Sequence, residues 1–484
     1  MEGARAEETY AEIEIGNEIL GHRSLPARFG AALIALALAL LAASVAPSLV
    51  VVSIDGLHPS YVLEADRHGL KVPHLRRLVA DGAWTSGARG VLPTVTYPSH
   101  TTIVSGVSPR RHGILYNHPF DPLERNRDGW YWYAEDIRVP TLWDAAAAAG
   151  LDTASVDWPV TAGARIRWNI VQYWRTDVPD APDDRKLSRL LSTPGLLAEA
   201  EKALGPYPSG YAYDVDADRR RVAFSEWILE TRRPRLHLAY LSGLDEEQHL
   251  SWPLSPKAIA VIEELDSMVG RLRAAAERSG GRRATFAVVS DHGHARTTRE
   301  LRLNEALRAK GLILLNGVGR VTDWKAYAWG SGGSAAIMLK DPSDVATREV
   351  VRELLESLRA LPESPIQRVL DGAEAAAEGG FPEAAFVVGV KPEWSIGTRY
   401  EEPVTGPALP GGDHGHLPEN AEMDACLFVV GPGIPAGRDL GRVDMRDIAP
   451  TLAARIGLNL ASAEGRDLLS AAEARAGGRV AGGR

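Results

Sequence analysis

Residues 284–294 read ATFAVVSDHGH, a nearly unbroken apolar run that ends in an acid and two histidines. A stretch that is apolar at successive positions, rather than alternate ones, reads as a strand buried on both faces. Two other runs share this form: residues 50–56, VVVSIDG, which reach Asp55, and residues 235–245, RLHLAYLSGLD, which reach Asp245. Together they predict an α/β fold, a mainly parallel central sheet covered by helices on both faces. Helical stretches lie between them, at residues 141–149 (TLWDAAAAA) and 256–276, the latter apolar at Ile259, Ile262, Leu265 and Val269. In open sheets of this kind, ligands bind beyond the carboxyl ends of the strands. Three acids at three strand ends therefore converge on one crevice. Any one of them alone reads more simply as a loop start or helix cap; three, with histidines nearby, read as a site.

The chain has 484 residues, with 54 Lys plus Arg against 63 Asp plus Glu, 13 His and one Cys. A 45% hydrophobic and 24% charged composition excludes wholesale disorder, collagen and coiled coil. The single Cys426 excludes an intramolecular disulfide framework and a cysteine zinc cluster, and its apolar surroundings suit a core residue. The net charge of −9, with no long basic run, argues against binding a nucleic-acid polymer. Length alone suggests about three domains, but the patterning divides the chain differently. Residues 1–48 form an N-terminal export segment and 49–297 the first part of a catalytic core. Residues 298–410, richer in Gly, Pro and Glu, read as an inserted cap, with an apolar run at 334–339 and a helix at 347–358. Residues 411–470 return to the core, with a strand at 427–431 and a helix at 447–456 that has Pro450 in its first turn; 471–484 are a flexible tail.

Within the export segment, residues 29–46 (FGAALIALALALLAASVA) carry no charge and follow His22, Arg23 and Arg28. They fit a signal-peptide core or a short membrane anchor. The small residues Ser44 and Ala46, and a core strand starting at Val50, favour export to the periplasm or medium. The alternative is a retained anchor, with membrane contact through the same segment.

The chemistry lies in a repeated tetrapeptide, Asp-His-Gly-His, at residues 291–294 and 413–416. Asp245 and His249 stand four apart, on one side of a helical turn. Mixed carboxylate and imidazole donors suit zinc, with manganese or iron as alternatives. Residues 92–117, LPTVTYPSHTTIVSGVSPRRHGILYN, add a hydroxyl. Pro98 suits a first helical turn and Gly106 its end, which puts Thr96 at a helix N-terminus, where free N–H groups favour an anion. An ordinary N-cap is the simpler reading of Thr96 by itself.

Taken together, these residues resemble the alkaline phosphatase superfamily and, within it, the nucleotide pyrophosphatase/phosphodiesterase (type I phosphodiesterase) family, from Val50 to about Leu458. The resemblance implies that one Zn²⁺ is held by Asp55, Thr96, Asp291 and His292, and a second by Asp245, His249 and His414. It makes Thr96 the nucleophile, Asn117 an oxyanion-stabilising amide and Tyr97 a wall of the substrate pocket. Trp158-Pro159 also fits the family's order. The chain departs from the family's pattern at Tyr97-Pro98-Ser99, at Gln248 and at His416, where the family has Phe-Pro-Asn, Gly and Tyr. The implied ligands survive those changes; substrate choice is what they leave open. Thr96 to His100 also echo the sulfatase Cys-x-Pro-Ser-Arg pattern, but without its modifiable residue or its Arg.

The implied activity is hydrolysis of phosphodiester or pyrophosphate bonds in small nucleotide-type substrates, through a phosphothreonine intermediate. Alternatives are a phospholipase C-like diesterase acting on lysophospholipids, a phosphomonoesterase of the same superfamily, a mutase or transferase, and a non-catalytic phosphoester-binding protein. A monoester dianion calls for extra positive charge, and only Arg110 and Arg111 follow the nucleophile helix closely. The cap and residues 174–197 would set the alcohol half. Of the remaining histidines, His100 reads as a support of the site or as packing, and His112 as a turn residue. His58, His294 and His416 are near the site by neighbourhood only. Trp130 to Tyr133 read as a packed loop.

Overall fold

Strand β1 (Ser48–Ile54) has all seven residues buried and occupies the middle of an eight-stranded sheet. In this computed structural model, residues 48–126, 129–175, 181–281 and 284–470 are described. The export segment with its apolar residues 29–46, and the tail 471–484, lie outside the described residues. Among the described residues, no helix is long and apolar enough to cross a membrane.

The other strands of the sheet are β2 (Ala83–Trp84), β3 (Thr153–Val156), β4 (Trp168–Ile170), β5 (Leu236–Leu241), β6 (Ala284–Val289), β7 (Leu427–Val430) and β8 (Arg438–Asp439). Their order is β8-β2-β7-β6-β1-β5-β3-β4. β1 runs parallel to both β5 and β6, with Val52 opposite Ala239 on one side and Val288 on the other. β7 is antiparallel to β6. The expected mainly parallel sheet is therefore present, with an antiparallel strand inserted towards one edge.

Strand periodicity distributes the core. Val50, Val52 and Ile54 pack on one face with Phe286, Val288 and the long helix α4 (Pro256–Gly280), through Ile262, Leu265 and Val269. Leu49 and Val51 face the other way, among Ile103 of helix α1 (Thr96–Ser105), Trp143, Trp158 and Leu452. Both faces are thus covered by helices, which explains why the sequence shows unbroken apolar runs instead of alternation. Two further helices matter for the site, α2 (Val215–Arg232) and α3 (Gly243–Leu250).

Between β6 and β7 the chain leaves the main sheet. Strand Ser334–Leu339 joins a four-stranded antiparallel sheet backed by helix Val345–Arg359, whose Val351, Leu354 and Leu355 are buried against it. Ala295–Leu301 and Thr405–Asp413 pair antiparallel, and Trp394–Ile396 adds a third strand. Thr405–Asp413 contains Pro407, Pro410 and three glycines and looks like a loop in sequence. It is a strand because a register shift between Pro407 and Gly411 absorbs the residues that cannot pair.

That strand reaches back to the core at two glycines. A Cβ on Gly411 would lie 2.5 Å from the His249 carbonyl oxygen, and one on Gly412 would lie 2.6 Å from that of Gln248. The backbone of α3 needs this closeness, because the Gly412 carbonyl accepts the Nδ1–H of His249 at 3.0 Å. Gly412→Ala should cost about 1–3 kcal/mol in urea unfolding, because the added methyl meets the Gln248 carbonyl. Unchanged stability would contradict the packing described.

Candidate metal centre and nucleophile

β1, β5 and β6 are parallel neighbours, so their carboxyl ends open onto the same edge. Asp55 follows β1, and its N–H donates to the Leu241 carbonyl at 2.9 Å, continuing the ladder by one residue. Gly56 then turns at φ +71°, where a Cβ would lie 2.7 Å from Gln248 Nε2, and its N–H donates to Asp291 Oδ1 at 3.1 Å. Asp291 and His292 follow β6 through Ser290, whose hydroxyl donates to the Leu57 carbonyl.

The second strand end is held from beneath. Ser242 and Gly243 donate their N–H groups to Asp218 of α2 at 3.1 and 2.8 Å. Arg221, only 5% exposed, pairs with Asp218 and Asp157, both at 2.8 Å. This buried charge network caps α3 from another helix and fixes the turn that carries Asp245, with His249 one turn later. Neither Asp218 nor Arg221 was singled out from sequence; both lie on what reads as an ordinary helix.

The side chains gather into one pit. His292 Nε2 lies 3.1 Å from Asp291 Oδ2, 3.4 Å from Asp55 Oδ1 and 3.5 Å from Thr96 Oγ1. His249 Nε2 lies 3.5 Å from Asp245 Oδ2, and His414 Nε2 lies 3.8 Å from Asp245 Oδ1. The His292 and His414 rings stack with centroids 3.8 Å apart. All seven residues expected as ligands are thus together. Asp245, His249, His294 and His414 form one group able to hold a metal ion, and Asp55, Asp245 and His292 another. His294 was read from sequence as a neighbour only; here it lies 2.7 Å from Asp245 Oδ1. The signal available was its place two residues beyond His292.

Thr96 opens α1 after the extended Val95, as its spacing from Pro98 suggested. Asn117 Oδ1 accepts the Tyr97 N–H at 2.9 Å, which leaves its NH₂ outside that bond. That pairing occupies one of the helix-start N–H groups expected to face an anion. Tyr97 itself requires correction as a pocket wall. Its side chain is fully buried, its hydroxyl donates to Gln172 Oε1, and its ring packs on Trp130 and Trp132. An apolar ring on a helix enclosed along its whole length goes into the core. Trp130 and Trp132 do pack as the loop reading expected, against Trp174. His100 lies behind the site, between Ser53 and the Thr96 carbonyl and 3.5 Å from Asp291 Oδ2. Burial lowers it to about 4, so it is neutral.

The electrostatics of these groups suit a cation. Asp55 Oδ1 and Asp291 Oδ2 are buried with no hydrogen-bond partner. Burial first, then the charges of Asp245 and Asp291, raise Asp55 well above the usual carboxylate range. Burial chiefly raises Asp291 to about 7. For Asp245 burial pushes upward too, but His249, His294 and His414 outweigh it and hold the carboxyl well below that range. Burial drives His292 and His414 far down, so their nitrogens keep free lone pairs. Orphaned carboxylate oxygens beside neutral imidazoles are a donor set for a cation such as zinc.

A family model described as type I phosphodiesterase/nucleotide pyrophosphatase matches residues 49–417. A pyrophosphatase/phosphodiesterase of Schizosaccharomyces pombe, itself uncharacterized, is 25% identical over 254 residues, covering 52% of this chain and 45% of that protein. Human ectonucleotide pyrophosphatase/phosphodiesterase family member 1 is 25% identical over 260 residues, 51% of this chain and 23% of the relative. The match thus spans less than half of either relative's length. Among solved structures, an inactive variant of murine ectonucleotide pyrophosphatase/phosphodiesterase 5 in complex with AMP superposes with a TM-score of 0.61 at 19% identity. The superposition covers 87% of this chain and 97% of the other, and establishes the likeness of fold.

The raised carboxyls have a measurable consequence. The raised Asp55 and Asp291 carboxyls hold protons more readily than ordinary carboxylates do, and a cation binding there must displace them. Zinc titration at pH 7 should therefore release protons, read as a calorimetric heat that changes with the ionisation enthalpy of the buffer. Identical heats in Tris and phosphate would contradict this.

Proposed function

We propose, from the premise that this chain belongs to the type I phosphodiesterase/nucleotide pyrophosphatase family, that it hydrolyses phosphodiester or pyrophosphate bonds by displacement at Thr96. The observation that carries the reading is the threonine hydroxyl at the start of a buried helix, 3.5 Å from a histidine that also meets two buried, unpartnered carboxylate oxygens. The residues fit two divalent ions: Asp55, Thr96, Asp291 and His292 around one, Asp245, His249 and His414 around the other. Zinc suits this donor set, with manganese or iron as alternatives. Bound there, the pair supplies Lewis acidity that lowers the pKa of a hydroxyl and steadies charge on phosphoryl and leaving oxygens.

The chain's own residues do the rest. The Thr96 Oγ1 proton passes to solvent, Oγ1 attacks phosphorus as the bond to the leaving alcohol or phosphate breaks, the leaving alkoxide takes a proton from water, and the phosphoryl group remains esterified to Thr96. Water then attacks that phosphorus, and Thr96 leaves with its proton restored. Asn117, its oxygen held by the Tyr97 N–H, offers its NH₂ to a non-bridging oxygen as charge develops there. Three aspartates and a threonine alkoxide balance two divalent cations, so an anionic ester meets a near-neutral site despite the overall charge of −9.

Two features favour a diester or pyrophosphate over a monoester. Among the described residues, Asp55, Asp245 and Asp291 form ion pairs only with histidines. Arg110 bonds the Ala376 carbonyl and Arg111 pairs with Glu464, so neither is directed at the pit. AMP held by the murine relative supports a small nucleotide-type substrate over a lysophospholipid or a nucleic-acid polymer. Residues 298–410 would serve as the cap over that substrate. Export, or anchorage by residues 29–46 with membrane contact there, accords with the ecto- designation of the human relative.

Thr96→Ala should lower kcat by about a thousandfold or more while zinc content stays at the wild-type level. Full activity in that variant would overturn the nucleophile assignment. Bis-p-nitrophenyl phosphate should be cleaved faster than p-nitrophenyl phosphate. A strong preference for the monoester would replace the diesterase reading with a phosphatase one, and lysophospholipid turnover without nucleotide turnover would shift the substrate class.

A further inference from the structure

His294 sits among the donors around Asp245, and distance alone groups it with them. The hydrogen bonds separate it. Two donors about 2.0–2.1 Å from one zinc at a tetrahedral angle lie roughly 3.3 Å apart. The proposed ligand pairs fall near that separation: 3.1, 3.4 and 3.5 Å around His292, and 3.5 Å for His249 Nε2 with Asp245 Oδ2. His294 Nε2 to Asp245 Oδ1, at 2.7 Å, is much shorter and has the length of a hydrogen bond to a carboxylate.

The far side of each ring agrees. An imidazole that offers its Nε2 lone pair to a metal carries its proton on Nδ1 and donates it to an acceptor. His249 does so to the Gly412 carbonyl at 3.0 Å, His414 to that of Thr94 at 3.3 Å, and His292 to that of Gly293 at 3.3 Å. His294 Nδ1 is buried with no partner. A proton there would be a buried donor left unmet, which is costly; a proton on Nε2 is met at once by Asp245. His294 is therefore the opposite tautomer from its three neighbours. Its ring stands edge-on to His249, with centroids 4.8 Å apart, and is packed close to Gly56, where an added Cβ would come within 3.0 Å of it. It has little freedom to turn.

We infer that His294 is a positioning residue for the Asp245 subsite: its Nε2–H holds Asp245 Oδ1, setting the carboxylate so that Oδ2 is the oxygen presented to a divalent cation beside His249. This rests on the metal reading of the site given above. Because carboxylate ligands depend on such partners, losing the hydrogen bond should weaken one of two ions and spare the other.

Zinc affinity by chelator competition, with the absorption spectrum of the cobalt-loaded protein, tests this on wild type, His294→Phe and His294→Gln. Phenylalanine keeps the ring volume without a donor; glutamine keeps an amide N–H at a similar reach. Wild type should bind two ions, His294→Phe should weaken one of them about 10- to 100-fold, and His294→Gln should stay within about threefold, with an unchanged cobalt spectrum. Wild-type affinities in His294→Phe would overturn the inference. So would a His294→Gln variant as weak as phenylalanine with an altered cobalt spectrum, which would make the imidazole a ligand. Failure of the wild type to bind any divalent ion would defeat the metal reading itself, and this inference with it.

Discussion

Three carboxylates that repel one another, placed at the ends of three adjacent parallel strands and removed from water, are the constraint on which the rest of this structure turns. Asp55, Asp245 and Asp291 are at most 8% exposed, and the parallel pairing of β1 with β5 and β6 leaves them nowhere else to go. An isolated buried carboxylate is costly, and three without a counter-charge would largely protonate. The raised Asp55 and Asp291 carboxyls express that cost. Bound cations would remove it, so the fold and the proposed chemistry would have one electrostatic solution in common.

Much of the surrounding architecture serves to hold that arrangement still. Arg221 and Asp218 anchor the turn into α3 from below, and the close approach at Gly411 and Gly412 holds the same helix from above. Thr94 supports His414 through its carbonyl and the His416 segment through its hydroxyl. α1 presents Thr96 from within the apolar core, with every residue of the helix buried. A hydroxyl on a rigid element would need little reorganisation to react, which suits the proposed role of Thr96.

What sequence could reveal followed from periodicity and spacing. Unbroken apolar runs ending in acids disclosed the central strands, because burial on both faces leaves no polar position to confuse the pattern. The Asp-x-x-x-His and Asp-His-Gly-His spacings pointed to candidate donors, which the family resemblance sorted into two sets, because chain neighbours at a strand end or helical turn are also neighbours in space. Besides the Asp218–Arg221 network, three features were not legible. Thr405–Asp413 hid its strand character behind Pro and Gly that a bulge accommodates. Tyr97 was implied as a pocket aromatic by the family resemblance, yet one step along a helix from Thr96 turns a side chain about 100°, here into the core. His294 looked incidental because its partner Asp245 is 49 residues away in the chain.

The most direct test of this account is anomalous diffraction at the zinc edge from crystals of zinc-loaded protein. The account predicts two peaks about 4 Å apart, one among Asp55, Thr96, Asp291 and His292, the other among Asp245, His249 and His414. One peak, or none, at the carboxyl ends of β1, β5 and β6 would contradict it.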